Sequence, residues 1–111
     1  MKTHRDTDEI RTLNDSRRQT FIGGRVMKTE GVAALDEKVQ QKLIAEVKAF
    51  CKFEKGNDPY GEHDFGSVKL EGMTFFWKID YYDWGMSQGS VDPTNEEATM
   101  RVLTIMRADE Y

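Results

Sequence analysis

The densest concentration of chemically capable groups in the sequence is Glu62-His63-Asp64, followed at strand-like spacing by Asp80 and Asp83. Carboxylates beside an imidazole suit a divalent ion such as Mn²⁺ or Zn²⁺, and an ion so held can activate water for hydrolysis. Geometry trims the set. Successive residues of a strand point to opposite faces, so Glu62, His63 and Asp64 converge only if they form a turn. If "KLEGMT" turns at Glu71-Gly72, His63 falls opposite Asp80, and these two alone meet cleanly; a metal site would use His63 and Asp80 with Asp83 as the further ligand candidate. The competing reading needs no cofactor: Asp58 and Asp64 accept backbone N–H groups in Asx-turns, and a polar His63/Asp80 pair anchors the hairpin.

Other routes to catalysis find less support. Cys51 falls on the apolar face of an amphipathic helix, which predicts burial as a small hydrophobe rather than a reactive thiol. No serine occupies a strand-turn-helix elbow, and Gly23-Gly24 lacks the Gly-Lys-Ser/Thr ending of a phosphate-binding loop. A His63 general base would also need an oxyanion or cation site, which the sequence does not locate.

The second chemical feature is aromatic. "MTFFWKIDYYDW" holds more rings than one core face absorbs, and exposed rings rimmed by charge mark protein interfaces. The candidate interface is Phe76, Tyr82 and Trp84, with Asp80, Asp83, Asp92, Glu96 and Glu97 as an acidic rim that would steer a basic partner. The competing expectation sets one helix over each face of the sheet and makes the rings core. Residues 1–55 carry twelve Lys/Arg against nine Asp/Glu, whereas residues 56–111 carry four against eleven. So acidic a half disfavours direct nucleic-acid binding there, since phosphate contacts need clustered cations and Lys69 and Lys78 are the nearby ones.

These residues must be positioned by a small fold. A chain of 111 residues predicts one α+β domain over 1–111, with residues 1–6 flexible. A capping box at Asp6/Glu9 predicts a short first helix over about residues 7–21, carrying Ile10, Leu13 and Phe21. "RVMKTEGV" reads as a short edge strand. Val39, Leu43, Val47 and Phe50 form the stripe of a long amphipathic helix that runs from Asp36 and ends before "KGNDP", where Gly56 can take the left-handed position past its end. The hairpin register sets Leu70 against Met73, Val68 against Phe75 and Gly66 against Trp77 on the core face; Ser67/Phe76 and Phe65/Lys78 lie on the other. "TMRVLTIMR" is apolar on both sides, with Leu103 and Ile105 opposing Met100, Val102 and Met106, as in a central strand. The expected architecture is an antiparallel sheet of three to four strands with the long helix and a shorter N-terminal helix packed on it.

No apolar run approaches the length of a membrane span, and "MKTHRDTDEI" lacks the apolar segment of a secretion signal, which points to the cytoplasm. The motifs "DPYGEHDFG", "FWKIDYYD", "GSVDP" and "RVLTIMRADEY", with "IRTLNDSRR" and "GVAAL" before them, together resemble the bacterial family called domain of unknown function 3768. That resemblance implies an accessory protein of alphaproteobacterial plasmids, integrated elements or phages, and it brings no catalytic residue. The functional expectation is a non-enzymatic interaction module that binds and blocks a host protein with a basic surface, such as a nucleic-acid-handling defence complex. A metal-dependent hydrolase or nuclease using His63, Asp80 and Asp83, and a homodimeric regulator, are the alternatives.

Overall fold

The computed structural model describes residues 4–111. In chain order it holds α1 (His4–Thr20), β1 (Arg25–Lys28), α2 (Glu30–Ala33), α3 (Glu37–Ala49), β2 (Phe65–Leu70), β3 (Met73–Tyr82), β4 (Met100–Arg107) and a closing 3₁₀ turn, Ala108–Glu110. The four strands form one sheet in the order β1-β4-β3-β2. β2, β3 and β4 are antiparallel, whereas β1 joins β4 in parallel, so the α+β class stands and the sheet is mixed. The expected flexible segment lies outside the described residues at positions 1–3, and from His4 onward the chain is helical.

The hairpin follows the predicted register from Phe65↔Lys78 to Leu70↔Met73. Glu71 and Gly72 both take positive φ, 53° and 75°, as a two-residue turn matching strand twist requires. Trp77, Phe75 and Ile79 of β3, Val68 of β2 and Leu103 and Ile105 of β4 then share one face, where they pack against Val32, Leu43 and Val47. Gly66 lies beneath the Trp77 indole, and no side chain would fit between them.

Four expectations are corrected. The N-terminal helix is the longer one, 17 residues against 13 for α3, and it starts before Asp6 instead of being capped by it. α3 stops at Ala49 rather than near Gly56, because Phe50 turns extended (ψ 133°) and brings its ring edge-on to Trp77 at 5.5 Å, with Phe53 at 6.1 Å. Cys51, just past that break, is exposed and not buried. The strand read through "RVMKTEGV" ends at Lys28; Glu30–Ala33 form a helical turn held by Glu110, whose carboxylate accepts from Gly31 N (2.9 Å), Thr29 Oγ1 (2.6 Å) and Arg107 N (2.8 Å).

All three helices lie on the same side of the sheet. α1 reaches the odd-numbered face of β3 and β4 through Asn14 to Tyr81 and Arg101, α3 carries Leu43 and Val47 onto it, and α2 contributes Val32. The reverse face, with Phe76, Lys78, Asp80 and Tyr82 on β3 and Val102, Thr104 and Met106 on β4, has no α-helix over it among the described residues, although Val102 and Met106 are buried there and Tyr111, after the closing 3₁₀ turn, packs on Phe76. The one-helix-per-face arrangement is thereby overturned. Among the described residues no helix is long and apolar enough to cross a membrane.

Candidate functional site

Two places combine polar groups with unusual surroundings. The first lies where α1 meets the sheet. A helix this polar must bury something, and the residues it turns inward at one-turn spacing are Ile10, Asn14 and Arg18, all at most 1% exposed. Asn14 is the hub: its amide nitrogen donates to the Tyr81 hydroxyl at 2.7 Å and to the Glu62 carbonyl at 3.0 Å, and its oxygen accepts from Arg101 Nε at 2.9 Å. Tyr81 donates onward to the Glu62 carboxylate at 2.8 Å, and Arg101 also donates to the Pro93 carbonyl. Burial, first of all, pushes the Tyr81 phenol far above the usual tyrosine range and lowers Arg101. Tyr81 therefore stays a neutral donor.

One turn along α1, Arg18 caps the end of α3 by donating to the carbonyls of Val47 (3.2 Å) and Lys48 (3.1 Å), and to Asp15 at 3.1 Å. Its guanidinium lies 5.4 Å from the Trp77 ring and 5.5 Å from that of Phe53. Asp15 also accepts from His63 Nδ1 at 2.8 Å, while His63 Nε2 sits 3.7 Å from the buried Asp58 carboxylate and the imidazole stacks on Phe53 at 3.6 Å. Asp58 in turn accepts from the His63 backbone N–H at 3.0 Å. Both ring nitrogens thus face carboxylates and one ring face is covered. This is the geometry of a brace joining α1 to the segment before β2.

The His63/Asp80 pair is accordingly not formed. His63 takes a left-handed φ of 55°, which turns the chain out of the strand just before Phe65, whereas Asp80 lies on the helix-free face with Lys78 Nζ at 3.1 Å. That hydrogen bond is the main reason the Lys78 ammonium is raised above the usual lysine range. Asp83 is occupied in the turn after β3, accepting from Ser87 N at 3.1 Å and Ser87 Oγ at 3.3 Å, and the backbone bond chiefly holds its carboxyl below the usual range. His63, Asp80 and Asp83 are not brought together, and among the described residues no group of three or more metal-ligating side chains is.

The second place is the helix-free face and the loop beside it. Phe76 packs there with Phe65 at 5.2 Å and with Tyr111 at 5.5 Å, and Tyr82, at the end of β3, bridges to Gly89 of the loop. Trp84 begins that loop, 57% exposed, its indole N–H donating to the Glu97 carbonyl. Met27 of β1 is 47% exposed. The acidic rim is thinner than its residue count suggests. Glu96 is paired with Arg17 and Asp80 with Lys78, whereas Asp83 accepts from Ser87 and Asp92 from Thr94, both neutral donors.

The family model for a protein of unknown function (DUF3768) matches residues 28–110. The chain belongs to this family. Neither the curated proteins nor the solved structures contain a match to it. The DUF3768 match takes in Asp58, Glu62, His63, Tyr81, Arg101 and most of the helix-free face, but starts after α1, which supplies Asn14, Asp15 and Arg18. Reasoning from apolar periodicity missed those three residues. Their signal was a polar stripe, Asn14 and Arg18 one turn apart beside Ile10, inside the "IRTLNDSRR" motif.

Proposed function

We propose that this DUF3768 protein is a non-enzymatic, cytoplasmic interaction module that binds a partner protein through the helix-free face of its sheet and the loop that follows β3. The observation that supports this reading is the placement of all three α-helices on the opposite face, which leaves Phe76 and Tyr82 half-buried under Tyr111 and loop residues alone and Trp84 largely in solvent. Amphipathic rings of this kind supply large contact area at low conformational cost. Asp83 and Asp92, which accept from the neutral donors of Ser87 and Thr94, together with the neighbouring Glu97, favour a partner whose contact surface is basic and would hasten its approach. The accessory role implied by the family resemblance makes host proteins that handle nucleic acid the class to screen, with inhibition by occlusion as the action.

The histidine favours no competing catalytic reading. Nδ1 and Nε2 both face carboxylates, so neither is presented to a substrate. The test is affinity capture from host lysate with wild type and a Tyr82→Ser/Trp84→Ala variant, after equal melting temperatures show both folded. A protein retained by wild type and lost by the variant supports the reading. Identical capture profiles refute it.

A further inference from the structure

The outer edge of β2 offers a second surface with its own chemistry. β2 closes the sheet and is paired on one side only, to β3. In a hairpin closed by a two-residue turn, hydrogen-bonded and non-hydrogen-bonded pairs alternate from the turn outward. Leu70↔Met73, Val68↔Phe75 and Gly66↔Trp77 are the bonded pairs, a phase confirmed one step on by Ile79 N donating to the Asp64 carbonyl at 2.8 Å. The N–H and C=O groups of Phe65, Ser67 and Lys69 therefore point away from β3, and no other segment of the described chain bonds them.

Those groups do not open onto bare solvent. A groove of about 400 Å³ runs beside them, walled by Ala49, Phe50, Cys51 and Lys52 at the end of α3, with Glu46 behind. Ser67, Val68 and Lys69 all line it, although their side chains alternate between faces, so the groove follows the backbone edge of the strand rather than either face. Its charge is set by Lys52 and Lys69 against the single Glu46. A second copy of β2 is a poor occupant, because "FGSVKL" carries Lys69 as its only charge and two such strands would meet with like charges.

We propose that the outer edge of β2 accepts an extended acidic peptide from a partner protein as a fifth strand. Its backbone bonds the free groups of Ser67 and Lys69, alternate apolar side chains enter the groove against Ala49, Phe50 and Val68, and the intervening carboxylates lie beside Lys69. This is strand addition, in which main-chain bonds give affinity and side-chain pockets give selectivity. It uses a surface separate from the helix-free face and stands or falls independently of it.

The probe is a capped hexapeptide alternating valine and glutamate, with the valine–lysine version as control, each titrated to about 1 mM against ¹⁵N-labelled protein. Saturable amide shifts concentrated at Phe65, Ser67 and Lys69, with slowed alkylation of Cys51 on the groove wall, are expected for the acidic peptide and not for the basic one. Ser67→Pro removes only an outward N–H and spares the β2–β3 ladder, so it should weaken binding about tenfold with the fold retained. Should that variant fail to fold, Lys69→Glu serves: it should weaken the acidic peptide about fivefold and favour the basic one. The proposal is overturned by no binding at the top concentration, by shifts lying elsewhere, by equal affinity for both peptides, or by a concentration-dependent dimer that protects the β2 amides.

Discussion

The tightest of the glycine contacts is also the fold's most decisive test. A β-carbon added at Gly66 would sit 2.6 Å from Cε2 and 2.8 Å from Cζ2 of Trp77, and nearer still to Nε1. Carbon atoms in contact prefer about 3.5–4.0 Å, so Gly66→Ala demands a displacement of roughly 1 Å. The indole has nowhere to go: it is fully buried, with Phe50 and Phe53 edge-on and the Arg18 guanidinium over its ring. Overpacking of this kind costs about 1–3 kcal/mol, and the blocked escape places Gly66→Ala near 2 kcal/mol, or roughly 10 °C in Tm for a domain of this size. The assay is urea denaturation of a double-mutant cycle with Trp77→Phe. Phenylalanine lacks the atoms that clash and also removes a buried indole N–H that has no partner, so the second substitution should recover about 1 kcal/mol or more of the first. A Gly66→Ala protein within about 0.5 kcal/mol of wild type, or additive effects in the cycle, would refute the packing argument.

Three further outcomes follow from the same physical picture. Asn14→Ala leaves Arg101 Nε and the Tyr81–Glu62 pair short of a buried partner and should cost about 3 kcal/mol by urea titration, a loss below about 1 kcal/mol showing that Asn14 is not the hub. The Glu110 carboxyl is held below an ordinary 4.5, first by the Thr29 hydroxyl and then by the Arg107 N–H, so its contribution is present above that value and lost as pH falls through the depressed one; Glu110→Gln should flatten the acid side of the Tm–pH curve, and an unchanged acid limb would show that the clamp does not form. Saturating Mn²⁺, Zn²⁺ or Mg²⁺ should leave the melts of wild type and His63→Ala unmoved, with His63→Ala lower throughout from loss of the brace; an ion at a hundredfold excess over Kd would instead add about 2.7 kcal/mol to wild type alone.

What the sequence disclosed divides along the range of the interactions. The β2–β3 register was readable because a two-residue turn fixes it locally and a slip by one residue would expose Phe75 and bury Lys78. β4 was readable from apolar residues on both sides, and the α3 stripe from its period. The end of α3 was not, because the pull of Trp77 on Phe50 and Phe53 is tertiary and overrides the local signal at Gly56. The α1 interface was hidden for a different reason: its buried stripe is polar, and a hydrophobic periodicity is blind to asparagine and arginine that satisfy one another. His63 was recognised as a structural anchor, yet its partners came from Asp15 and Asp58, since a single positive φ removed it from the strand in which Asp80 would have met it.

The parallel seating of β1 on β4 sets the order in which the chain can be completed. Arg25 pairs with Val102 and Lys28 with Ile105, and Asn14 waits on Arg101, 87 positions further along. During synthesis the first helix and strand emerge long before the strand that receives them, while the β2–β3 hairpin, closed by two residues, can form as soon as it is made. The N-terminal segment must therefore be kept from pairing elsewhere until β4 is released, and a product shortened before Met100 would lose the centre of its sheet rather than its rim. Folding should accordingly be limited by the docking of the two ends of the chain, and exposure to proteases and chaperones concentrated in that interval.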